Sequence, residues 1–283
     1  MPAEPKAAFT LEAAGFSVAG RALLHPLGLE LPAGRITGLI GHNGSGKSTL
    51  LRLLARQQPA STGRVLFGGR DLGAWGERSF AREVGFLPQA TPAGTGLLVR
   101  ELVALGRYPW HGALGRITAA DRVAIAEAIE RTGLAALAGR QVDTLSGGER
   151  QRAFLAMLVA QDTGWLLLDE PISALDIAHQ IDILALTGRL ARTRGAGVVM
   201  VLHDINMAAR FCDEIIALHS GRLVARGTPD EVMRPERLEA IYGVGFDRVE
   251  RAAGEPALCY PRLPAAADGA GRPFPIRRGS RRD

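Results

Sequence analysis

The chain has 283 residues, a hydrophobic fraction of 47%, a formal net charge of +5 and a pI of about 9.8. This composition supplies a large buried core for one large domain or two small ones. Because no apolar run approaches the roughly 20 residues that cross a bilayer, and residues 1–10 show no charged region followed by an apolar stretch, we expect a protein that is neither secreted nor membrane-spanning.

The N-terminal part of the chain predicts strands. Residues 10–40 alternate in short strand-like pieces that glycine and proline interrupt, including residues 27–31 ahead of a turn at 32–34. This pattern predicts an antiparallel β layer. The apolar run at residues 36–40 then predicts a buried strand that leads into the next motif.

Residues 41–48 fit the pattern G-x-x-x-x-G-K-[ST] between that strand and a helix-like run at 48–54. Their glycines lack the Cβ atoms that would keep backbone N–H groups from surrounding a polyphosphate, and the following helix directs its positive dipole end at the anion. The predicted phosphate-binding residues are Gly41, His42, Asn43, Gly44, Ser45, Gly46, Lys47, Ser48 and Thr49.

Lysine usage strengthens this prediction. The chain contains only Lys6 and Lys47, and all its other basic side chains except histidine are arginine. A compact ammonium reaches phosphates inside such a loop where a planar guanidinium does not fit. Lys47 is therefore predicted to contact the β- and γ-phosphates of a nucleotide.

The middle of the chain, residues 97–162, has helical periodicity. A capping box at residues 118–121 predicts the start of one helix, and Gly133 its end. A second glycine-rich motif, LSGGERQR at residues 145–152, opens another helix-like segment at 149–158. Taken alone, this motif is either the cap of its own helix or a second set of phosphate donors.

Continuous apolar runs at residues 166–168 and 198–202, with a helix predicted at 178–194 between them, indicate strands buried on both faces of a parallel sheet. Residues 228–231 predict the start of a short helix. Residues 246–283 are rich in arginine, proline and glycine, and we expect a weakly ordered, solvated tail.

Cysteine usage and charge bear on compartment and partners. Cys212 and Cys259 have no metal-ligand spacing, so a reducing cytoplasm is expected. The basic charge alone permits nucleic acid or anionic lipid as a partner.

The order of the phosphate loop at 41–48, LSGGERQR at 145–152 and LLLDEP at 166–171 resembles the ATP-binding-cassette (ABC) ATPases. The resemblance implies an α/β fold with a P-loop NTPase (RecA-like) core containing a parallel sheet, an N-terminal antiparallel β layer and an inserted α-helical subdomain. The implied ATPase domain spans residues 10–245, with the helical subdomain at about 95–163. The implied cofactors are ATP and Mg²⁺.

The resemblance also implies roles for five side chains. Ser48 and Asp169 match the positions that hold Mg²⁺ directly or through water. Gln89 matches the glutamine that senses the γ-phosphate and Mg²⁺. Glu170 matches the catalytic base, and His203 matches the histidine that contacts the γ-phosphate.

In this family the second glycine-rich motif completes the ATP site of the opposing subunit, which implies a homodimer. The residues concerned are Ser146, Gly147, Gly148 and Glu149. Asp176 matches the loop through which the two subunits communicate. A separate integral membrane permease is the implied receiver, docking near Gln89 and residues 90–97, with this subunit peripheral to the cytoplasmic face of the cell membrane.

Two positions depart from the family pattern. Ile172 replaces a threonine in the sequence DEPTSALD. Val18 stands where an aromatic side chain usually stacks on adenine, so that stacking is either lost or taken over by Phe16.

Residues 106–112, 202–210 and 212–213 resemble the ATP-binding subunits of iron-siderophore importers, and the whole chain is most similar to the iron(III)-hydroxamate (ferrichrome-type) importer ATPases. A substrate-binding protein is then an indirect partner. Ferric catecholate, haem and cobalamin remain alternative cargoes, because this subunit does not contact the cargo.

Two other functions are less consistent with the sequence. A soluble ABC protein acting on nucleic acid commonly carries two cassettes, a coiled-coil insertion or a zinc insertion. A small-molecule P-loop kinase would not need the motif at residues 145–152. No nucleic-acid partner is therefore expected.

Overall fold

A computed structural model describes residues 7–90, 96–112, 115–173, 175–252 and 254–263. Most of the segment expected to face a permease, and the last twenty residues of the expected tail, lie outside this part of the chain. None of the helices in the described part combines the length and apolarity that a bilayer span requires.

Strands and helices alternate along the described residues. In chain order the strands are β1 (Phe9–Val18), β2 (Arg21–Leu31), β3 (Ile36–Ile40), β4 (Thr62–Phe67), β5 (Arg70–Asp71), β6 (Val84–Leu87), β7 (Trp165–Leu168), β8 (Gly197–Val201), β9 (Glu214–His219), β10 (Arg222–Gly227), β11 (Phe246–Val249) and β12 (Leu258–Pro261). The α-helices are α1 (Lys47–Leu54), α2 (Glu77–Glu83), α3 (Val99–Leu105), α4 (Tyr108–His111), α5 (Ala119–Arg131), α6 (Gly147–Gln161), α7 (Ile177–Arg194), α8 (Ile205–Phe211), α9 (Pro229–Val232) and α10 (Pro235–Tyr242).

The central sheet has six strands in the order β10-β9-β3-β8-β7-β6. All neighbouring pairs are parallel except β10 with β9. Every residue of β3, β7 and β8 is buried, which explains why these strands are continuous apolar runs rather than alternating ones. The predicted α/β fold class with a parallel sheet is confirmed.

A second, antiparallel sheet has the order β2-β1-β4-β5, and it is the predicted N-terminal layer. An aromatic cluster joins it to the central sheet. The ring of Phe9 lies 4.7 Å from that of Phe67 and 4.9 Å from that of Trp165 on β7, measured between centroids. The indole of Trp165 also donates a hydrogen bond to the carbonyl of Ala7 (2.7 Å), so one side chain connects both sheets.

Helices α3 to α6 lie between β6 and β7 in the chain and form the helical block. The predicted capping box is present at α5. The hydroxyl of Thr118 accepts a hydrogen bond from the Asp121 N–H, and the Asp121 carboxylate accepts one from the Thr118 N–H. Asp121 is also the partner of Arg107 in a buried ion pair (2.8 Å). The Thr118 hydrogen bonds and this guanidinium lower the pKa of Asp121 to about 2.

The expectation of a weakly ordered tail from residue 246 does not hold for 246–252 and 254–263. Here β11 pairs with β12, and both Phe246 and Cys259 are buried. The side chain of Asn206 donates to the Cys259 carbonyl (3.0 Å) and accepts from its N–H (2.9 Å). The composition of this segment indicates solvation, but it cannot show that α8 offers a paired donor and acceptor to the hairpin.

Gly197 at the start of β8 sits against the Trp165 indole, where an added Cβ would lie 2.6 Å from Cε3. We expect Gly197→Ala to lower the free energy of unfolding by about 1–3 kcal/mol, because the indole has no room to move in a packed core. Urea unfolding measures this change. Gly28→Ala is the matched control, since its Cβ would meet nothing closer than 3.8 Å; equal losses in both variants would contradict the packing argument.

Candidate functional site

The loop between β3 and α1 is shaped by glycines. A Cβ on Gly41 would lie 2.1 Å from the carbonyl oxygen of Leu218, and Gly46 adopts φ +98°, where side chains are strained. Gly46 is also the N-cap of α1. The loop therefore packs closely against the neighbouring strand, and the first turn of α1 opens beside it.

Lys47 points back into this loop. Its Nζ donates to the carbonyl oxygens of Gly41 (2.8 Å) and His42 (2.9 Å). Burial lowers the pKa of Lys47, and the nearby charges of Glu170 and Asp169 oppose that change. The ammonium is held by oxygen atoms, an environment similar to that offered by phosphate oxygens.

A cavity of about 420 Å³ lies over the loop. Four other parts of the chain contribute to it besides the loop: β2 and the segments that directly follow β6, β7 and β8. Its lining residues are Leu23, Asn43, Gly44, Ser45, Gly46, Lys47, Ser48, Thr49, Gln89, Glu170 and His203. The structure thus brings the predicted phosphate loop together with all three predicted catalytic side chains.

Glu170 is the centre of the polar side of this cavity. One carboxylate oxygen accepts a hydrogen bond from Gln89 Nε2 (2.7 Å), and the other lies 2.7 Å from His203 Nε2. The three residues follow β6, β7 and β8, whose carboxyl ends share one edge of the sheet. Glu170 has φ +50°, a conformation that is unfavourable for a residue with a Cβ and persists where the surroundings impose it.

Asp169 and Ser48 form the second polar pair of the site. The Ser48 hydroxyl donates to Asp169 Oδ1 (2.8 Å), and Asp169 is fully buried. Its other oxygen, Oδ2, has no hydrogen-bond partner among the described residues. Burial raises the pKa of Asp169, and the Ser48 hydrogen bond opposes this rise.

This pair fits a divalent cation. An unpartnered buried carboxylate oxygen, a hydroxyl and the Gln89 amide are hard oxygen donors of the kind that Mg²⁺ prefers. Within the described residues no group of three or more histidine, cysteine and acidic side chains could hold a metal ion.

The second glycine-rich motif does not line the cavity. Ser146 caps α6, and Glu149 accepts a hydrogen bond from the Ser146 N–H (2.9 Å) while its own N–H points to the Ser146 hydroxyl (3.3 Å). These bonds lower the pKa of Glu149. The cap is therefore present, and both Ser146 and Gly147 are exposed to solvent, with Gly148 partly so.

Asp176 is the N-cap of α7, accepting the N–H of His179 (3.0 Å). This and the His179 side chain lower the pKa of Asp176. Asp176 therefore caps α7 in the structure, whereas its role in communication between subunits stays a prediction.

The two sequence-predicted candidates for nucleobase contact both lie on β1, and neither lines the cavity. Phe16 packs against the hydrophobic cluster of the antiparallel layer, and Val18 is 52% exposed at the end of β1. Leu23, which sequence reasoning missed, is the apolar side chain of β2 that lines the cavity. Its backbone approaches Gly46 from a distant part of the sequence, so no local pattern could have indicated it.

Ile172 is buried in the main core, where its side chain packs among apolar neighbours.

A glycine-rich phosphate loop with a lysine, a buried aspartate beside its hydroxyl and a glutamate at the same edge of a parallel sheet together define a P-loop nucleotide-hydrolysing protein. Comparison with known proteins specifies this class further. The family model described as ABC transporter matches residues 24–173. The chain therefore belongs to the ABC transporter family, as an ATP-binding subunit that hydrolyses ATP to power transport, which confirms the prediction.

The curated relatives include import proteins from several bacteria. The chain is 40% identical to the iron(3+)-hydroxamate import ATP-binding protein FhuC of Bacillus subtilis (strain 168), over 88% of this chain and 92% of that protein. It is 44% identical to the ferric enterobactin transport ATP-binding protein FepC of Escherichia coli (strain K12), over 77% and 80%. It is 40% identical to the hemin import ATP-binding protein HmuV of Rhodococcus jostii (strain RHA1), over 92% and 89%.

Solved structures share the fold. A metal-chelate type ABC transporter in an inward-facing conformation matches with a TM-score of 0.79 and 26% identity, over 91% of this chain and 98% of that one. A dimeric post-hydrolysis ATP-binding cassette bound to ADP and Pi matches with a TM-score of 0.68 and 25% identity, over 78% and 98%.

The buried carboxylate of Asp169 leads to a prediction on stability. A raised pKa means that the ionised form is less favourable in the folded chain than in the unfolded chain, and this penalty is fully present at neutral pH. We expect Asp169→Asn to raise the free energy of unfolding at pH 7, with a gain that shrinks as the pH falls and the wild-type carboxyl becomes protonated.

Urea unfolding at several pH values checks this expectation. The exposed Asp182→Asn is the control, for which we expect a change within about 0.5 kcal/mol. A less stable Asp169→Asn at neutral pH would show that the Ser48 hydrogen bond outweighs the cost of burying the charge.

Proposed function

We propose that this chain is the Mg²⁺-dependent ATP-hydrolysing subunit of a membrane importer that takes up iron(III)-hydroxamate siderophores. It works as a homodimer that is peripheral to the cytoplasmic face of the cell membrane. There it drives an integral membrane permease, to which a substrate-binding protein delivers the cargo. The observation that supports hydrolysis most directly is the position of Glu170 between Gln89 and His203 at the mouth of the phosphate loop.

In this proposal each side chain of the cavity has one task. The loop N–H groups and Lys47 bind the β- and γ-phosphates, with the lysine exchanging its two carbonyl partners for phosphate oxygens. Glu170 accepts a proton from the attacking water, and Gln89 and His203 hold its carboxylate in place. His203 lines the same cavity and would also contact the γ-phosphate.

Ser48, Asp169 and Gln89 would hold the magnesium ion. The unpartnered oxygen of Asp169 is the main support for this assignment, because a buried carboxylate oxygen without a donor is costly. When bound, Mg²⁺ neutralises charge that develops on the phosphate oxygens.

Two observations support a dimer of identical chains. First, the motif at residues 146–149 lies outside the cavity of its own chain, and its exposed residues Ser146 and Gly147 are accessible to a second copy. Second, Ile177 is 70% exposed and Ile181 is 40% exposed, one helical turn apart and directly after Asp176. A second copy that covers this surface would bury apolar area next to the loop assigned to communication.

A groove beside β6 suits the permease. Its volume is about 580 Å³, and it is lined both by residues of the core, such as Ala55 and Phe86, and by residues of the helical block, such as Met157 and Gln161. Because β6 leads directly to Gln89, a change at the γ-phosphate would be transmitted to a permease helix bound in this groove.

The identity of the cargo is the most specific part of the proposal. The resemblance of residues 202–210 favours an iron-siderophore importer, and the match to the hydroxamate import protein over most of both chains favours ferric hydroxamates within that group. The names of the other relatives include ferric enterobactin and hemin, so importers of a catecholate or of haem are the competing assignments.

We predict that Glu170→Gln binds ATP with unchanged affinity but loses about 10² to 10⁴ in hydrolysis rate, because the water loses its base. We also expect this variant to form a stable dimer with ATP, since closure is no longer followed by hydrolysis. Phosphate release and sedimentation velocity measure the two effects.

Glu236→Gln, on the exposed first turn of α10, is the control and should hydrolyse ATP normally. Adding Ser146→Arg to Glu170→Gln should abolish the dimer, because a long side chain then occupies the place of the partner's phosphates. Wild-type turnover in Glu170→Gln, or an intact ATP-bound dimer with Ser146→Arg, would sink the proposed mechanism.

The cargo is tested by growth of a deletion strain on defined iron chelates. We expect growth on ferric hydroxamates to fail, while growth on ferric catecholates and haem persists, and wild-type protein but not Lys47→Ala should restore it. If the deletion strain instead fails to grow only on ferric catecholates or only on haem, that compound is the cargo, and the ATPase assignment is unaffected.

A further inference from the structure

The imidazole of His179 lies directly against Gly148 of the second glycine-rich motif. A Cβ built on Gly148 would stand 3.1 Å from the ring Cγ and 3.2 Å from Cδ2, so the ring packs onto the bare Cα. Nδ1 of the same ring is 2.8 Å from both carboxylate oxygens of Asp176. One side chain therefore bridges the start of α6 and the loop that precedes α7.

The loop before α7 is itself held in place. Gln180 donates from its side chain to the carbonyl oxygens of Leu175 (2.9 Å) and Ile172 (3.3 Å). The N–H of Ser173 contacts the carbonyl of Glu170 (3.3 Å). A series of contacts therefore links Glu170, through the loop before α7 and His179, to the second glycine-rich motif of the same chain.

We propose that His179 is a positioning residue that fixes the turn at residues 146–148 against the Asp176 loop, so that both reach the second copy's triphosphate as one rigid unit. This inference rests on the homodimer of the proposed function. His179 touches no reacting atom; it acts through Gly148 and Asp176.

The residue type suits this task for two reasons. A flat ring packs closely on the exposed Cα of a glycine, and at Gly148 it leaves no room for a Cβ. A ring N–H also donates to a carboxylate, and a hydrogen bond to a charged group is stronger than one between neutral groups. The His179 side chain is 35% exposed and that of Asp176 is 66% exposed, so the bridge lies at the surface where a partner would dock.

Two substitutions separate the bridge from simple packing. In His179→Asn the side-chain amide keeps a planar group against Gly148 and a donor near the position of Nδ1. In His179→Leu apolar bulk stays, but the donor to Asp176 is lost. Helix capping by Asp176 through the backbone of residue 179 is available to both variants.

The experiment measures kcat and KM for ATP in the otherwise wild-type chain, and ATP-dependent dimerisation in the Glu170→Gln background. We expect His179→Leu to lower kcat by a factor between about 10 and 100, because small misplacements of donors have effects of that size. Binding of a fluorescent ATP analogue to the monomer, and KM, should stay unchanged. His179→Asn should retain at least about a third of the wild-type kcat.

The outcomes distinguish this inference from the homodimer itself. If Glu170→Gln dimerises with ATP and His179→Leu leaves both kcat and dimerisation unchanged while lowering only the melting temperature, His179 is a packing residue and this inference is wrong. If Glu170→Gln stays monomeric with ATP, the homodimer of the proposed function fails, and the inference fails with it.

Discussion

The carboxylate of Glu170 is held by groups from two neighbouring strands, the Gln89 amide on one side and the His203 ring on the other, and this arrangement exists only because β6, β7 and β8 are parallel. Parallel strands end at a common edge, so residues 81 and 33 positions away in sequence reach the same carboxylate. Strand β3 ends at this edge too and delivers the phosphate loop. The buried parallel sheet is thus the physical basis of the site.

The site carries unfavourable features that the rest of the fold must offset. Asp169 is buried with one oxygen unpartnered, Glu170 has a left-handed backbone, and burial lowers the pKa of the Lys47 ammonium. Each of these costs free energy in the isolated chain. The two hydrophobic clusters on the faces of the sheet provide the compensating stability. A bound metal ion and nucleotide would relieve the electrostatic costs at Asp169 and Lys47, since they supply charges opposite to those of these two side chains.

A second consequence concerns the two glycine-rich motifs. Both open a helix, yet the structure gives them opposite surroundings: the first lines a cavity, and the second is exposed to solvent, with Gly148 close to His179 of α7. In the proposed dimer, closure by ATP would bring these surfaces together, and loss of the γ-phosphate would release them. In the proposed role of His179, its contacts with Gly148 and Asp176 keep the turn at residues 146–148 and the loop before α7 in a fixed relative position during that cycle.

The amino-acid sequence by itself determined the local features: the phosphate loop, the buried strands around it, the capping boxes at Thr118 and Thr228, and the start of α6. These depend on residues within a few positions of one another, so their pattern is visible in one dimension. The tertiary structure alone decided that β11 and β12 pair as a hairpin held against α8, that Leu23 lines the cavity, and that His179 contacts Gly148. Each of these depends on a contact between segments far apart in the chain, which for the hairpin is the pairing of Asn206 with the backbone of Cys259. Such contacts exist only after the chain has folded.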